Sequence, residues 1–405
     1  MTEAAVADAS PTALAGAVRD APFVRLVARD DGDALAAAGL LARALQDRDD
    51  PFHVRVAADP VTEAVAGDAT DAAAADAADI DTAATAAEDD LTVTIGAGDG
   101  RHAISGEGRP ASTTAFEVAR ELGVTPDPVL ALAGVVAAGS VPGTDGSGDA
   151  LEAATRDGLV SRRPGVALPT ADVADGLAAS TLLRFPASGD PEEARATLAE
   201  LELPAELDED AHRRLASVVA VDAVAAADAS ERAVSSVERA LRPYATPEGH
   251  FATVGGYADV LDALAREASG TGVALALADE PSDDLRAAAL DGWRSHGLAA
   301  HRALDSATTG RYDGAFVVRV DADPSVLPTV ARLVRDFQSP EPVVIALSEA
   351  GGALAAAATD PVGLGDSLRE VAGDVDGTGW GSPTRGAAEF EGDGTELVAA
   401  LRSQL

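Results

Sequence analysis

The chain has 405 residues, which is enough for two or three folded domains. Hydrophobic residues make up 47% of it but aromatic residues only 3%, so its cores must be built from alanine, valine and leucine. The 68 acidic residues outnumber the 30 basic ones and give a net charge of −38. All 30 basic residues are arginine, and such a composition is typical of proteins that work in molar salt.

Charge and residue types exclude several kinds of site. A strongly acidic chain ordinarily argues against nucleic-acid binding, because phosphate contacts need cationic side chains. In a protein adapted to molar salt the acidity is a background property, so a local arginine cluster can still contact phosphate. The absence of cysteine excludes disulfides, thiolate catalysis and cysteine-ligated metal sites.

The sequence contains no recognisable targeting or membrane segment. Its first 20 residues are acidic and lack the basic and apolar regions of a signal peptide. No apolar run approaches the roughly 20 residues that cross a bilayer. We therefore expect a cytoplasmic protein that contacts no membrane.

Strand and helix patterns alternate over the first 150 residues. We predict strands over 22–28, 52–58 and 91–98, and helices over 5–19, 34–47, 113–124 and 128–140. An Ala/Asp/Thr-rich segment at 68–90 is predicted to be partly helical. Because strands that alternate with helices form parallel βαβ units, residues 1–150 are predicted to be an α/β domain with a parallel sheet.

The remainder of the chain is predicted to contain a helical connector and a second, smaller α/β domain. Residues 151–243 carry few strand signals and form the connector, and residues 244–405 return to a mixed pattern. In this last part we predict strands over 272–279, 298–305, 314–321 and 342–349, and helices over 257–267, 282–295, 325–337 and 394–403.

An acidic turn follows the first predicted strand, in the sequence VARDDGDALAAAGLL at 27–41. Side chains alternate along a strand, so Arg29, Asp31 and Asp33 would share one face at its carboxyl end. Ligand sites of open parallel sheets lie at that end, and paired carboxylates suit Mg²⁺ or Mn²⁺. The alternative is an acidic loop that caps the following helix, with Asp33 as the N-cap.

This stretch resembles the first motif of the DHH phosphoesterase superfamily, which includes the RecJ exonucleases. That motif is a hydrophobic strand, then Ser-His-x-Asp-x-Asp-Gly, then a helix of small residues. In the resemblance, Asp31 and Asp33 match the two metal-binding aspartates. Arg29 stands where the motif has histidine, with Ala28 in place of serine and Ala34 in place of glycine.

In this chain, the segments that correspond to the superfamily's later motifs lack the residues that carry its chemistry. The second motif is a strand that ends in aspartate, but the strand at 91–98 offers Gly96 or Gly98, with Asp99 only nearby. The Asp-His-His motif has no counterpart, since His102 is isolated. The sequence at 112–123 matches the helix that follows in the family.

The C-terminal part resembles the DHH-associated domain (DHHA1), which contacts nucleic-acid backbone through a Gly-Gly-His motif. The sequence GTGWGSPTRGAAEF at 377–390 keeps the glycines but has serine in place of the histidine. As a glycine-rich turn it could offer N–H groups to a phosphate, with an arginine charge and a tryptophan for base stacking. The predicted nucleic-acid-binding residues are Gly379, Trp380, Gly381, Ser382 and Arg385.

The resemblance therefore predicts a RecJ-like fold with degenerate catalytic motifs. A two-metal nuclease needs more ligands than Asp31 and Asp33, which alone would hold one weak ion at best. Arg29 would replace the metal's charge by pairing with Asp31. We expect no resident cofactor, and Mn²⁺ or Mg²⁺ only if the protein is active.

The family implies a role in DNA replication or repair. RecJ-like proteins without catalysis are structural parts of the replicative helicase, bound to the GINS complex and the MCM ring. By this resemblance the expected partners are single-stranded DNA or RNA, GINS and MCM.

Two other interpretations stay open at this stage. The protein could be an active single-strand exonuclease or oligonucleotide phosphoesterase with ligands drawn from Asp99, His102, Asp145 and Asp149. It could instead be an unrelated α/β protein that matches the motifs by chance. The histidines of the second half share no ligand spacing and are predicted to be ordinary surface or core residues; they are His250, His296 and His301.

Overall fold

The structure is a computed structural model that describes residues 10–66, 90–98, 102–204, 207–392 and 394–405. It divides into two compact units: Met1–Val160 with Val260–Ala289, and Ser161–Asp259 with Leu290–Leu405. The segment predicted to be partly helical at 68–90 lies outside the described residues except for Asp90. None of the described helices is long and apolar enough to cross a lipid bilayer.

The first unit is built on a four-stranded parallel sheet in the order β2-β1-β3-β4, which confirms the predicted N-terminal architecture. Its strands are β1 Val24–Arg29, β2 Phe52–Ala57, β3 Leu91–Ile95 and β4 Ala103–Ile104. Its helices include α1 Pro11–Asp20, α2 Gly32–Asp47, α3 at 60–66, α4 Ala111–Glu121, α5 Pro128–Ala137 and α6 Gly148–Arg156. Strand β1 lies between β2 and β3, with buried Val24, Leu26 and Ala28 on one face, while Arg25 and Arg29 flank the buried Val27 on the other.

Helix α2 is buried along most of its length by close helix neighbours. A Cβ atom added at Gly39 would lie 2.7 Å from the Cβ of Ala276. One added at Gly134 of α5 would lie 2.9 Å from the Cβ of Ala36 and closer still to Ser112 of α4. Glycine and alanine thus let these helices approach closely, in a chain that has few aromatic side chains to fill a gap.

Arg43 joins α2 to residues that are distant in the sequence. Its guanidinium donates to the carbonyls of Ala276 and Ala278 at 2.8 and 2.7 Å, and it pairs with Asp127 and Asp279 at 3.1 Å each. Those carbonyls belong to the end of helix α12, Ser269–Leu277. The prediction of a strand at 272–279 is therefore wrong, because a short apolar run suits a buried helix as well as a strand.

The second unit carries a six-stranded sheet in the order β11-β12-β10-β9-β8-β7. Its strands are β7 Thr308–Tyr312, β8 Ala315–Val320, β9 Val343–Ser348, β10 Ala353–Ala358, β11 Thr378–Gly381 and β12 Arg385–Glu389. Strands β8 and β9 pair in parallel and the other pairs are antiparallel. The strands predicted at 314–321 and 342–349 are confirmed as β8 and β9.

Four helices of this unit precede the sheet in the chain, and three lie between or after its strands. They are α7 Val173–Ala179, α8 Pro191–Glu200, α9 Glu209–Ala225, α10 Arg232–Ala240, α14 Leu327–Leu333, α15 Leu364–Gly373 and α16 Thr395–Gln404. A two-stranded sheet joins β5 Ser161–Arg162 to β6 Tyr244–Ala245. Two further helices, α11 Val254–Glu267 and α13 Asp283–Asp305, contain residues of both units. Residues 298–305 lie in α13, so the prediction of a strand there is wrong.

A buried polar network lies in the second unit around Asp259. Its carboxylate accepts hydrogen bonds from the Thr181 hydroxyl at 2.6 Å and from the Trp293 indole N–H at 2.9 Å. The Arg332 guanidinium donates to the same hydroxyl at 2.7 Å. Burial raises the pKa of Asp259, and the partners that donate to it oppose that rise.

Replacement of Gly134 by alanine tests the close helix contact. The added methyl group would collide with Ser112 and Ala36, so we expect Gly134→Ala to lower the free energy of unfolding by about 1–3 kcal/mol. Gly16→Ala is the control, because Gly16 lies in α1 with no atom within 4 Å of an added Cβ. The control should gain about 0.5–1 kcal/mol from helix propensity. Urea denaturation in concentrated KCl measures both, and equal effects would refute the close contact.

Candidate functional site

The acidic turn at the end of β1 forms the N-terminus of α2. Asp31 is the N-cap of this helix: its Oδ1 accepts the N–H of Ala34 at 2.9 Å, and its Oδ2 accepts the Arg29 Nε–H at 2.6 Å. The cap is therefore Asp31 and not Asp33, because the strand ends at Arg29 and the helix begins at Gly32. Both oxygens of Asp31 are engaged within the protein.

Asp33 caps a different helix. Its Oδ2 accepts the N–H of Ala111 at 2.6 Å and its Oδ1 accepts the N–H of Ser112 at 3.0 Å. These are first-turn N–H groups of α4, whose own N-cap residue is Pro110 and supplies no side-chain acceptor. A carboxylate from α2 therefore satisfies the start of α4 and complements its dipole.

Burial makes the charge of Asp33 costly. The side chain is buried, and this burial, with the neighbouring charge of Asp31, raises the pKa of Asp33 to about 6. The hydrogen bonds from Ser112 and Ala111 act in the opposite direction, since they favour the carboxylate.

Arg29 occupies the space beside the end of β3. Gly96, which follows β3, has φ +87°, and a Cβ added there would lie 2.8 Å from the Cβ of Arg29 and 3.4 Å from its Nε. A side chain at this position would collide with Arg29. Burial lowers the pKa of Arg29, but the charge of Asp31, with smaller effects of Asp30 and Asp33, outweighs it and raises the pKa.

A second arginine–aspartate pair lies beside the first and was missed by sequence reasoning. Asp262 accepts the N–H of Gly32 at 3.1 Å through Oδ1 and pairs with Arg266 at 2.7 Å through Oδ2. Burial raises the pKa of Asp30, and the charge of Arg266 offsets part of that rise. The i,i+4 spacing of Asp262 and Arg266 is visible in the sequence, but their approach to residue 32 is not.

These residues do not fit a two-metal centre. In the part of the chain that the structure describes, no group of three or more His, Asp or Glu residues could hold a metal ion. Of the alternative ligands, Asp149 pairs with Arg120 at 2.6 Å, and Asp99 lies outside the described residues. Asp31 and Asp33 accept N–H groups at the starts of α2 and α4, and the guanidinium groups of Arg29 and Arg266 supply the positive charge.

The glycine-rich segment at 377–390 forms a hairpin of β11 and β12, where a turn was expected. Gly379 faces helix α15 so closely that an added Cβ would collide with the Leu368 carbonyl, and one at Gly386 would lie 2.5 Å from the Leu368 side chain. These two glycines let the helix lie directly against the hairpin.

The residues at the tip of this hairpin meet the N-terminus of α15. The Ser382 carbonyl accepts the N–H of Gly365 at 2.9 Å, and the Pro383 carbonyl accepts the N–H of Leu364 at 3.2 Å. These N–H groups at the start of α15 are therefore already hydrogen-bonded within the chain. Trp380 is half-buried and Arg385 begins β12, and a nucleic-acid role for residues 379–382 and Arg385 stays a prediction.

Two histidines of the second unit belong to its core. His301 Nε2 lies 2.9 Å from the Ser180 carbonyl, and burial, with the charges of Arg184 and Arg332, lowers the pKa of His301 to about 3. His296 is buried with Nε2 2.8 Å from the Thr329 hydroxyl. Both are core residues, as predicted.

Comparison with known structures identifies the fold. CDC45 from Entamoeba histolytica is 9% identical with a TM-score of 0.54, over 96% of this chain and 97% of that one. RecJ from Thermus thermophilus in complex with Mn²⁺ is 16% identical with a TM-score of 0.49, and this chain spans about half of it, 55%. The chain therefore shares the fold of this CDC45 structure, and the α/β architecture predicted from the sequence is confirmed.

Sequence comparison defines the family within that fold. Residues 307–403 match the family model described as "Uncharacterized protein rrnAC1427, C-terminal domain". The protein rrnAC1427 of Haloarcula marismortui is 47% identical over 401 residues, which cover 97% of this chain and 96% of the relative. The chain belongs to the rrnAC1427 family.

The pKa of Asp33 predicts a specific pH dependence of stability. A carboxyl group with a folded-state pKa of about 6 binds its proton more tightly in the folded chain than in the unfolded one. Its contribution is present below pH 4 and is lost as pH rises through about 6, by up to about 3 kcal/mol. Asp33→Asn lacks this titration, so its stability relative to wild type should rise between pH 4 and 7.

Urea denaturation of both proteins across this pH range in KCl measures the difference. Asp190→Asn is the matched control, because Asp190 caps α8 at an exposed position with bonds of 2.8 and 3.1 Å. A constant difference between Asp33→Asn and wild type at every pH would contradict the prediction.

Proposed function

We propose that this protein is a RecJ-like member of the DHH superfamily that has lost phosphodiester hydrolysis. It would act in DNA replication or repair as a single-strand-binding component associated with GINS and the MCM helicase, in the cytoplasm. One observation carries the loss of catalysis: Asp31 and Asp33 have their oxygens occupied by helix N–H groups and by Arg29.

The charge arrangement supports the same proposal. Divalent ions need several anionic ligands with free lone pairs. Here the Arg29 Nε lies 2.6 Å from Asp31 and the Arg266 Nη1 lies 2.7 Å from Asp262, so guanidinium groups neutralise carboxylates that an ion would otherwise require. Recruitment of a metal pair would first have to break these buried contacts.

The non-catalytic role is supported by the extent of the fold similarity. The chain and the Entamoeba CDC45 match over nearly the full length of both, so the architecture is retained as a whole. A structural component of a replication complex needs the intact fold but does not need a metal centre. GINS, MCM and single-stranded nucleic acid are its proposed partners.

A nuclease assay tests the proposal directly. The purified protein, in molar KCl with Mn²⁺ or Mg²⁺, should not shorten an end-labelled single-stranded DNA or RNA oligonucleotide. Asp31→Asn, which keeps an acceptor for the Ala34 N–H, should give the same result. Shortening by the wild type that is absent in Asp31→Asn would show that the site is catalytic.

Binding to partners is a separate measurement. The tagged protein should recover GINS subunits from a lysate of the source organism, and MCM with them, at an ionic strength that preserves the native fold. If neither complex is recovered, the proposed association with GINS and MCM is wrong. The nuclease assay still tests the loss of catalysis independently.

A further inference from the structure

Three arginines in the second unit differ from the paired arginines described above. Among the described residues, no carboxylate lies within salt-bridge distance of Arg162, Arg163 or Arg242. By contrast, Arg29, Arg43 and Arg266 each contact at least one aspartate. In a chain with 68 acidic and 30 basic residues, a local group of unpaired cations is an exception.

The backbone places these three arginines on two paired segments of the chain, although about 80 residues separate Arg162 and Arg163 from Arg242. In the β5–β6 pair, Arg162 lies opposite Tyr244. The Arg163 N–H donates to the Pro243 carbonyl at 3.2 Å, and the Arg242 N–H donates to the Gly165 carbonyl at 3.2 Å. We call Arg162, Arg163, Arg242 and Tyr244 the arginine cluster.

Arg163 is the half-buried member of the cluster. Burial lowers the pKa of Arg163, and no carboxylate of the described residues opposes that change. Its Nε–H is buried without a hydrogen-bond partner among the residues that the structure describes. The pKa of His212 is lowered by burial and by the charge of Arg163, while Asp208 acts in the opposite sense. The Arg163 cation therefore lies in a partly desolvated position beside His212.

Arg162 and Tyr244 form a stacked pair. The guanidinium carbon of Arg162 lies 4.8 Å from the centre of the Tyr244 ring, and its Nη1 donates to the tyrosine hydroxyl at 3.2 Å. Arg162 and Arg242 are exposed and Tyr244 is half-exposed. Arg242 has φ +53°, a left-handed conformation that is costly for arginine.

We propose that the arginine cluster binds the phosphate backbone of single-stranded nucleic acid. Guanidinium groups match phosphate oxygens with paired N–H donors, and the Arg162–Tyr244 stack offers a flat surface to a base. This chemistry favours nucleic acid over an acidic protein segment, which has no base to stack. The proposal rests on the single-strand binding in the proposed function and assigns a surface other than residues 379–385 to it.

Fluorescence anisotropy with labelled oligo(dT) and oligo(rU) of 30 nucleotides, over a series of KCl concentrations, tests the cluster. The variant is the full chain with Arg162, Arg163 and Arg242 all changed to glutamine. We expect at least a tenfold loss of affinity and a smaller slope of log K against log salt, by roughly one for each phosphate that the protein no longer binds.

A matched variant carries Arg156→Gln, Arg195→Gln and Arg286→Gln, which lowers the net charge equally at positions outside the cluster. It should bind within twofold of wild type. If the cluster variant fails to fold, as judged by circular dichroism, the exposed single changes Arg162→Gln and Arg242→Gln should each reduce the salt slope by about one.

The outcomes separate this inference from the proposed function. Wild-type binding that the cluster variant retains would overturn the arginine cluster and leave the proposed function intact. No binding by wild type to either oligonucleotide would refute single-strand binding, and the cluster with it. Self-association that the cluster variant abolishes, with oligonucleotide affinity unchanged, would assign the cluster to an acidic protein surface and also overturn the proposal.

Discussion

The first unit depends on how two helix N-termini are satisfied at the end of β1. Helices α2 and α4 both begin there, and their first N–H groups need acceptors once they are buried. Asp31 supplies one for α2 at 2.9 Å, and Asp33 supplies two for α4 at 2.6 and 3.0 Å. Carboxylate oxygens used in this way are not free to bridge a pair of cations, so the same hydrogen bonds set both the helix packing and the chemistry open to these two aspartates.

The balance of charge at this site follows from the same arrangement. Buried carboxylates need a compensating positive charge, which a metal pair or guanidinium groups can provide. Arg29 and Arg266 are residues of the chain, so they neutralise their aspartate partners without a bound metal ion. Contacts at 2.6 and 2.7 Å between buried groups are also poorly screened by salt, which matters in a protein whose composition indicates molar ionic strength.

The sequence predicted a strand or helix correctly where the hydrophobic periodicity and the length of a segment indicated the same kind of element. The parallel sheet, the strands β8 and β9 and the helix α5 follow from apolar runs with clear boundaries. The alanine run Ala353–Ala358 forms a strand buried between β9 and β12, although alanine favours helices. Its neighbours in the sheet override its propensity, and no local signal announces that.

The sequence by itself determined the α/β fold class, the elements of the parallel sheet and the pairing of Arg29 with Asp31. These follow from residues close in the chain, where spacing limits what side chains can reach. Only the tertiary structure decided that Asp33 caps α4, that Asp262 and Arg266 reach residue 32, and that Arg162 meets Tyr244. Those contacts join residues about 80 to 230 positions apart, and chain folding, which no local pattern encodes, brings them together.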